Sequence, residues 1–135
     1  MATLDTRSQI IFLYYDDLKG AFDFFENTLG LKLVCDQGYC RIYQTYGTAF
    51  IGAVQRGIGS CKATHRDGVL TSMVVKDFDE MHKRIVDKGI EMLKPPGYSD
   101  VMQIKSMMFV GPEGFKFEVE EFLSAADRKA FYPYL

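Results

Sequence analysis

The stretch IIFLYYDDLKGAFDFFENTLG at residues 10–30 has a counterpart in LTSMVVKDFDEMHKRIVDKG at residues 70–89. Each stretch is typical of an apolar strand, then an Asp, then an amphipathic helix that ends at a Gly. The two Asp residues, Asp17 and Asp77, lie sixty positions apart. A period of this length indicates two copies of one supersecondary unit. We therefore expect the functional site where structural units meet, because pockets tend to form there.

Three further strands follow the helix in each copy, so the pattern predicts an α+β chain with a βαβββ unit twice. The strand pattern is apolar and alternating, and turns rich in Gly, Pro and Asp separate the strands. The predicted organisation is a single domain of residues 1–135, with a first unit at 9–55, a linker at 56–68, a second unit at 69–123 and a C-terminal helix or tail at 124–135.

Composition excludes several classes of protein. The chain is 47% hydrophobic and 25% charged with a net charge of −2, which is ordinary for a globular domain. Lys and Arg are scattered, so no nucleic-acid partner is expected. No apolar run is long enough to span a membrane, and the first residues lack the apolar core of a signal peptide, so a cytoplasmic location is expected.

Three cysteines, Cys35, Cys40 and Cys61, occur without a CxxC spacing. An odd number with this spacing argues against a disulfide framework or a zinc site. Cys35 and Cys40 fall on neighbouring strands of a predicted hairpin, so a bridge between them is geometrically conceivable. In a reducing compartment we expect free thiols.

Two segments carry a family resemblance, YYDDLKGAFDFFENTLG in the first copy and GPEGFKFEVEEF near the end of the second. Over residues 9–123 the chain resembles the vicinal oxygen chelate superfamily, which includes glyoxalase I, extradiol dioxygenases and the fosfomycin- and bleomycin-resistance proteins. The resemblance implies the glyoxalase/bleomycin-resistance fold, in which paired βαβββ units form a curled, cup-shaped mixed sheet. It also implies a homodimer.

Enzymes of this family hold a divalent metal through polar residues on the first and fourth strands of each unit. Carried onto this sequence, the four positions fall on Ile10, Ile51 (within one residue), Leu70 and Glu118. Three of these side chains are aliphatic and offer no lone pair to a metal. The resemblance, read residue by residue, therefore predicts no metal and no cofactor, and leaves Glu118 as the one candidate catalytic residue.

Strand alternation predicts which side chains line the cup. Most are apolar or aromatic with a single carboxylate among them, a composition typical of small-molecule pockets. The predicted ligand-binding residues are Ile10, Phe12, Tyr14, Tyr43, Ile51, Leu70, Ser72, Met107 and Glu118.

Three functions remain open at this point. The first is a metal-free protein that binds a small hydrophobic or cationic molecule, as in the bleomycin-resistance branch. The second is a metal-dependent lyase, isomerase or dioxygenase with relocated ligands around Glu118. The third is a metal-free enzyme that uses Glu118 as a general base beside Tyr14 or Tyr43, because a desolvated Glu can reach a useful pKa.

Overall fold

The computed structural model describes residues 6–62, 64–67 and 69–132. The chain divides into two compact units, Met1–His65 and Arg66–Leu135. Each unit contains one four-stranded mixed sheet with the order first, fourth, third, second strand. The predicted α+β class with a βαβββ pattern in each half is confirmed. In the described part of the chain, no helix is long and apolar enough to cross a membrane.

The first unit begins with a strand that leads into a short helix. Asp17 accepts a hydrogen bond from the Gly20 N–H at 3.0 Å and so begins the helix, as the sequence predicts. The elements are β1 (Gln9–Tyr15), α1 (Leu18–Asp23), a π-helical turn (Phe24–Thr28), β2 (Lys32–Asp36), β3 (Cys40–Tyr46) and β4 (Ala49–Gln55). β1 pairs in parallel with β4, and β3 pairs antiparallel with both β4 and β2.

Aromatic rings fill the space between α1 with its π-helical turn and the first sheet. Phe25 stacks on Tyr43 with ring centroids 5.4 Å apart and meets Tyr15 edge to face at 6.2 Å. All three side chains are fully buried. Arg41 lies over the Phe22 ring on this same face. These contacts show that α1 covers the face of the sheet that carries the odd-numbered residues of β1 and β3.

The predicted continuous helix to Leu29 is wrong in one respect. The chain widens into a π-helical turn at Phe24, with the Leu29 N–H donating to the Phe24 carbonyl. The apolar face is kept through this turn, because Phe24, Phe25 and Leu29 are all buried. The segment then ends at Gly30, whose φ of 68° is left-handed as predicted.

The second unit repeats this arrangement with a longer helix. Its elements are β5 (Leu70–Val74), α2 (Phe78–Asp87), β6 (Met92–Ser99), β7 (Ile104–Val110), β8 (Lys116–Phe122) and α3 (Ala125–Phe131). β5 pairs in parallel with β8, and β7 pairs antiparallel with β8 and β6. Helix α2 contacts β7 and β8. Its Ile85 and Phe78 are buried, and Phe117 and Val119 of β8 are fully buried beside them.

Side chains at the strand ends fix the two helices of the second unit. The Glu121 carboxylate accepts the Phe78 N–H at 3.1 Å, at the first turn of α2. The Tyr132 hydroxyl donates to the Val75 carbonyl at 2.6 Å and accepts the Phe122 N–H, which closes the end of the β5–β8 pair. Ser124 accepts the Asp127 N–H at 3.2 Å, as predicted for the start of α3. Tyr134 and Leu135, predicted to dock with this helix, lie outside the described residues.

The sequence KPPG at residues 94–97 predicts a rigid loop after a short strand at residues 90–93, but these four residues are part of strand β6. β6 pairs only with β7 and therefore lies at a sheet edge. Proline is tolerated at an edge because no neighbour requires its missing N–H. Pro95 and Pro96 sit where the pairing register shifts, between Lys94 and Gly97.

Helices α1 and α2 each cover one face of a sheet, and we call the opposite face the open face. Helix α3 touches the open face of the second sheet at its end, where Phe131 stacks on Phe122 with ring centroids 4.3 Å apart. On the open face of the first sheet, the Phe12 ring lies directly above Gly52 of β4. A Cβ added to Gly52 would lie 2.5 Å from Cδ1 of this ring. The Phe12 side chain is 43% exposed. Its ring occupies the space that a side chain at position 52 would need.

Replacing Asp77 with Ala should destabilise the protein by about 0.5–2 kcal/mol, because the side chain accepts the Glu80 N–H at 3.1 Å and caps α2. The measurement is urea unfolding monitored by circular dichroism. Asp100→Ala, in an exposed turn, is the matched control and should change the free energy of unfolding by less than about 0.5 kcal/mol. Equal effects of the two substitutions would contradict the capping role.

Replacing Gly52 with Ala should destabilise the protein by about 1–2 kcal/mol, because the new methyl group must displace the Phe12 ring. In a Phe12→Ala background the same substitution should be neutral or stabilising, since the obstacle is gone. A double-mutant cycle in urea measures this coupling. Gly97→Ala is the control strand position, because its added Cβ would meet nothing closer than 4.0 Å.

Candidate functional site

Each residue on the open face of the first sheet's parallel strand pair has a counterpart, related by the internal repeat, on the open face of the second sheet. The parallel first and fourth strands of each unit pair residue by residue, and the repeat aligns these pairs. In the first unit, the pairs on the open face are Ile10 with Phe50, Phe12 with Gly52 and Tyr14 with Val54. Their counterparts in the second unit are, in the same order, Leu70 with Lys116, Ser72 with Glu118 and Val74 with Glu120. The first face is therefore apolar and aromatic, whereas the second carries two carboxyl groups.

Glu118 and Glu120 form a carboxyl pair on the open face of the second sheet. They are two residues apart on β8, so both side chains point to the face opposite Phe117 and Val119. The carboxyl of Glu120 is hydrogen-bonded to that of Glu118 and to the Ser72 hydroxyl. The register partners on β7 are Met108 and Ser106, and those on β5 are Ser72 and Val74.

Burial and repulsion favour the protonated form of Glu120. Partial burial is the main cause that raises the pKa of Glu120 above its ordinary value, and the neighbouring Glu118 raises it further. The next residue on the same face, Lys116, directs its ammonium to the Asp67 carboxylate at 2.8 Å. Glu120 therefore binds a proton more readily than an isolated glutamate would, because its pKa is raised, and a ligand cation could take the place of that proton.

The open face of the first sheet has an apolar cluster at the end farthest from the start of β1. Cys40, Ile42 and Val54 are buried there, although no helix covers this face. Tyr14 packs against the cluster, together with Cys35 and Phe50. Burial raises the pKa of the Cys40 thiol, with smaller effects from Cys35 and Asp36. All three cysteines of the chain are free thiols.

Three predicted site residues do not lie on the open faces. Tyr43 and Ile51 are register partners on the face covered by α1, and both are buried. Burial also raises the pKa of Tyr43 to about 12, so it stays protonated near neutral pH. Met107 is fully buried beside its partner Val119 on the face covered by α2. The predicted placement of these three residues in the cup is wrong.

The error for Tyr43, Ile51 and Met107 is one of strand parity. A shift of one residue exchanges the two faces of a strand, and the shift depends on where each hairpin turn begins. The bulge between Gln44 and Tyr46 changes the register in the first unit. The remaining predicted positions lie on open faces: Ile10, Phe12, Tyr14, Leu70, Ser72 and Glu118.

The residues at the family's metal-ligand positions do not fit a divalent metal. The register makes Gly52, not Ile51, the counterpart of Glu118 in the first unit, and its place is filled by the Phe12 ring. Ile10 and Leu70 supply no donor atom either. Among the described residues, no group of three or more His, Cys, Asp or Glu side chains is arranged to hold a metal ion.

Two surface cavities lie away from the carboxyl pair. One of about 510 Å³ lies beside the start of α2 and is lined by Val75, Lys76, Asp77, Glu80, Met81 and Arg84. The other, of about 420 Å³, lies beside the starts of β1 and β4 and includes Arg7 and Phe50. Both are open to solvent and mix charged with apolar side chains. Neither cavity is lined by Glu118 or Glu120.

Sequence reasoning places Glu120 on the face of Glu118 through the alternation of β8, but it leaves Glu120 out of the predicted binding residues. It also leaves out Ser106, and it selects Met107 rather than Met108, because the correct choice requires the β7–β8 register. A charged residue two positions from a candidate site residue on a strand was the available signal for Glu120. The register of β7 has no comparable signal in the sequence, because Met107 and Met108 are chemically identical.

Solved structures with the same fold include several proteins of low sequence identity. TioX from Micromonospora sp. ML1 aligns with a TM-score of 0.75 and 19% identity, over 86% of this chain and 98% of its own. Lactoylglutathione lyase from Agrobacterium tumefaciens aligns with a TM-score of 0.71 and 19% identity, over 89% and 96%. The fosfomycin resistance protein FosX from Mesorhizobium loti gives 0.66 and 18%, over 94% and 99%.

These similarities show the fold alone, because the identities are below 20%. No curated protein matches the chain. The family model described as glyoxalase/bleomycin resistance protein/dioxygenase superfamily matches residues 7–119, which is most of the sequence. Together with the two βαβββ units, this match shows that the chain belongs to the glyoxalase/bleomycin resistance protein/dioxygenase superfamily.

Proposed function

We propose that this protein binds a small molecule that combines an apolar body with a cationic group, and that it does so without a bound metal. The carboxyl pair Glu118–Glu120 carries the proposal, because it places two acidic side chains on a partly buried sheet face beside apolar neighbours. A ligand ammonium could take the place of a proton at this pair and donate hydrogen bonds to both carboxylates.

The surroundings of the pair supply the apolar part of the proposed site. Leu70 and Val74 of β5 are 45% and 36% exposed on the same face, and Met108 of β7 lies opposite Glu118. Methionine adapts its shape to different ligands because its side chain is unbranched and polarizable. A cation without an apolar body would leave these surfaces in water, so we expect amphiphilic amines to bind more tightly than simple ones.

A metal-dependent lyase, isomerase or dioxygenase is the less favoured function. It would need donor atoms that Ile10, Gly52 and Leu70 cannot supply. Metal analysis of the purified protein separates the two proposals. A stoichiometric content of zinc, nickel, manganese or iron that is lost in Glu118→Gln would overturn the metal-free proposal.

Glu118→Gln should lower the pKa of Glu120, because it removes the neighbouring negative charge, but burial should keep the pKa above its ordinary value. A carboxyl whose pKa is raised by folding stabilises the protein below its unfolded pKa, and that contribution is lost as the pH rises through the folded pKa. The loss should be smaller in the variant. Carboxyl carbon NMR and urea unfolding across this pH range measure both effects.

Glu91→Gln is the control for this titration, because Glu91 is exposed and lies outside the carboxyl pair. It should leave the titration of Glu120 unchanged. An identical Glu120 titration in wild type and Glu118→Gln would show that the two carboxyl groups do not share a proton.

Octylamine, octanol and octanoate share one apolar body and differ in charge, so calorimetric titration with the three compounds tests the proposed ligand class. We expect octylamine to bind most tightly and octanoate least. The double substitution Glu118→Gln and Glu120→Gln should weaken octylamine binding about tenfold or more, since paired charges at a partly buried site contribute more than one kcal/mol. Octanol binding should change little.

Two results would contradict the proposal. One is the absence of octylamine binding to the wild type at millimolar concentration. The other is an equal loss of octylamine and octanol binding in the double variant, which would indicate a damaged fold rather than a lost charge. Glu91→Gln again serves as the control and should bind all three compounds like the wild type.

A further inference from the structure

The segment that follows β4 folds back onto the open face of the first sheet. We call Gly57–Cys61 the strap. The backbone N–H of Cys61 donates to the Tyr14 hydroxyl at 3.3 Å. Gly59 lies against the Tyr14 ring, and a Cβ added there would collide with it and lie 2.7 Å from the hydroxyl oxygen. The strap is therefore shaped to lie on this one tyrosine.

Tyr14 in turn packs against the apolar cluster of Cys40, Ile42 and Val54. The cluster is on the face that α1 does not cover, yet Cys40 is only 2% exposed. Tyr14 lies between the strap and the buried cluster, because it contacts both Gly59 of the strap and the cluster. Moving the strap would release the hydroxyl and allow the ring to swing away.

The strap is held lightly in comparison with the strand before it. Gly57 has a left-handed φ of 90°, and Ile58 and Cys61 of the strap are exposed. Beyond Arg56, whose N–H bonds to the Tyr15 carbonyl, the strap no longer pairs with β1. Few buried contacts and a single side-chain hydrogen bond are typical of segments that open without global unfolding.

We infer that the strap is a lid on the first unit, which closes on Tyr14 and controls access to the apolar cluster beneath it. The closed state is the one described above. In the open state the Tyr14 ring leaves the cluster, and the Cys40 thiol becomes accessible to solvent and to small molecules. This inference concerns the first unit and does not depend on the carboxyl pair of the second.

Alkylation of the three thiols by iodoacetamide, followed by peptide mass spectrometry over time, tests the lid. Burial protects Cys40, and a small free thiol such as N-acetylcysteine, added to the reaction, provides the reference for the reagent because Cys61 belongs to the strap. Tyr14→Phe removes only the hydroxyl that holds the strap and should speed the alkylation of Cys40 about two- to tenfold. Gly59→Ala forces the strap away from the ring and should speed it further.

Two matched controls in the second unit have the same chemistry without the strap. Tyr98→Phe removes the hydroxyl of an exposed tyrosine, and Gly97→Ala adds a methyl group in open space. Neither should change the rate at Cys40 relative to the added thiol.

The dependence on urea distinguishes a lid from general unfolding. If the lid opens locally, the Cys40 rate should hardly change with urea below the unfolding transition, because little surface is exposed. The lid is overturned if Tyr14→Phe and Gly59→Ala leave the Cys40 rate unchanged. It is also overturned if the rate rises with urea as steeply as global unfolding does.

Discussion

One face of each four-stranded sheet is covered by a helix, α1 in the first unit and α2 in the second, while α3 touches only the end of the opposite face of the second sheet. Strand alternation then assigns every residue of β1 to β8 either to the covered core or to the open face. The covered faces are filled by aromatic and aliphatic side chains such as Phe25, Tyr43 and Phe117. All candidate chemistry is thereby confined to the open faces, whatever the sequence alone suggests about a given residue.

The open face of the second sheet concentrates negative charge where the sheet provides little to neutralise it. Glu118 and Glu120 share a hydrogen bond, and Lys116 on the same face pairs with Asp67. Two adjacent carboxyl groups cannot both ionise at low cost when they are partly buried. The pair is therefore a place where either a proton or an external cation lowers the free energy, which is why the proposed ligand carries a positive charge.

The elements were predictable from sequence because their signals are local. Asp17, Asp77 and Ser124 begin helices, and Gly30 and Gly89 end them, through contacts within a few residues. The faces of individual strands were harder. The placements of Tyr43, Ile51 and Met107 failed because the parity of a strand depends on the residue at which a hairpin turns, and bulges shift it. The edge strand β6 was predicted too short, because its two prolines suit a loop equally well.

The internal repeat also shows how far the two units have diverged at one position. The parallel register makes Gly52 the counterpart of Glu118, and Phe12 the counterpart of Ser72. In the second unit this position holds a carboxyl group beside a hydroxyl. In the first unit the carboxyl is absent, and an aromatic ring occupies the space above the glycine. A symmetrical pair of oxygen donors cannot arise from these residues, so the carboxyl group of the proposed cation site has no counterpart at the equivalent position of the first unit.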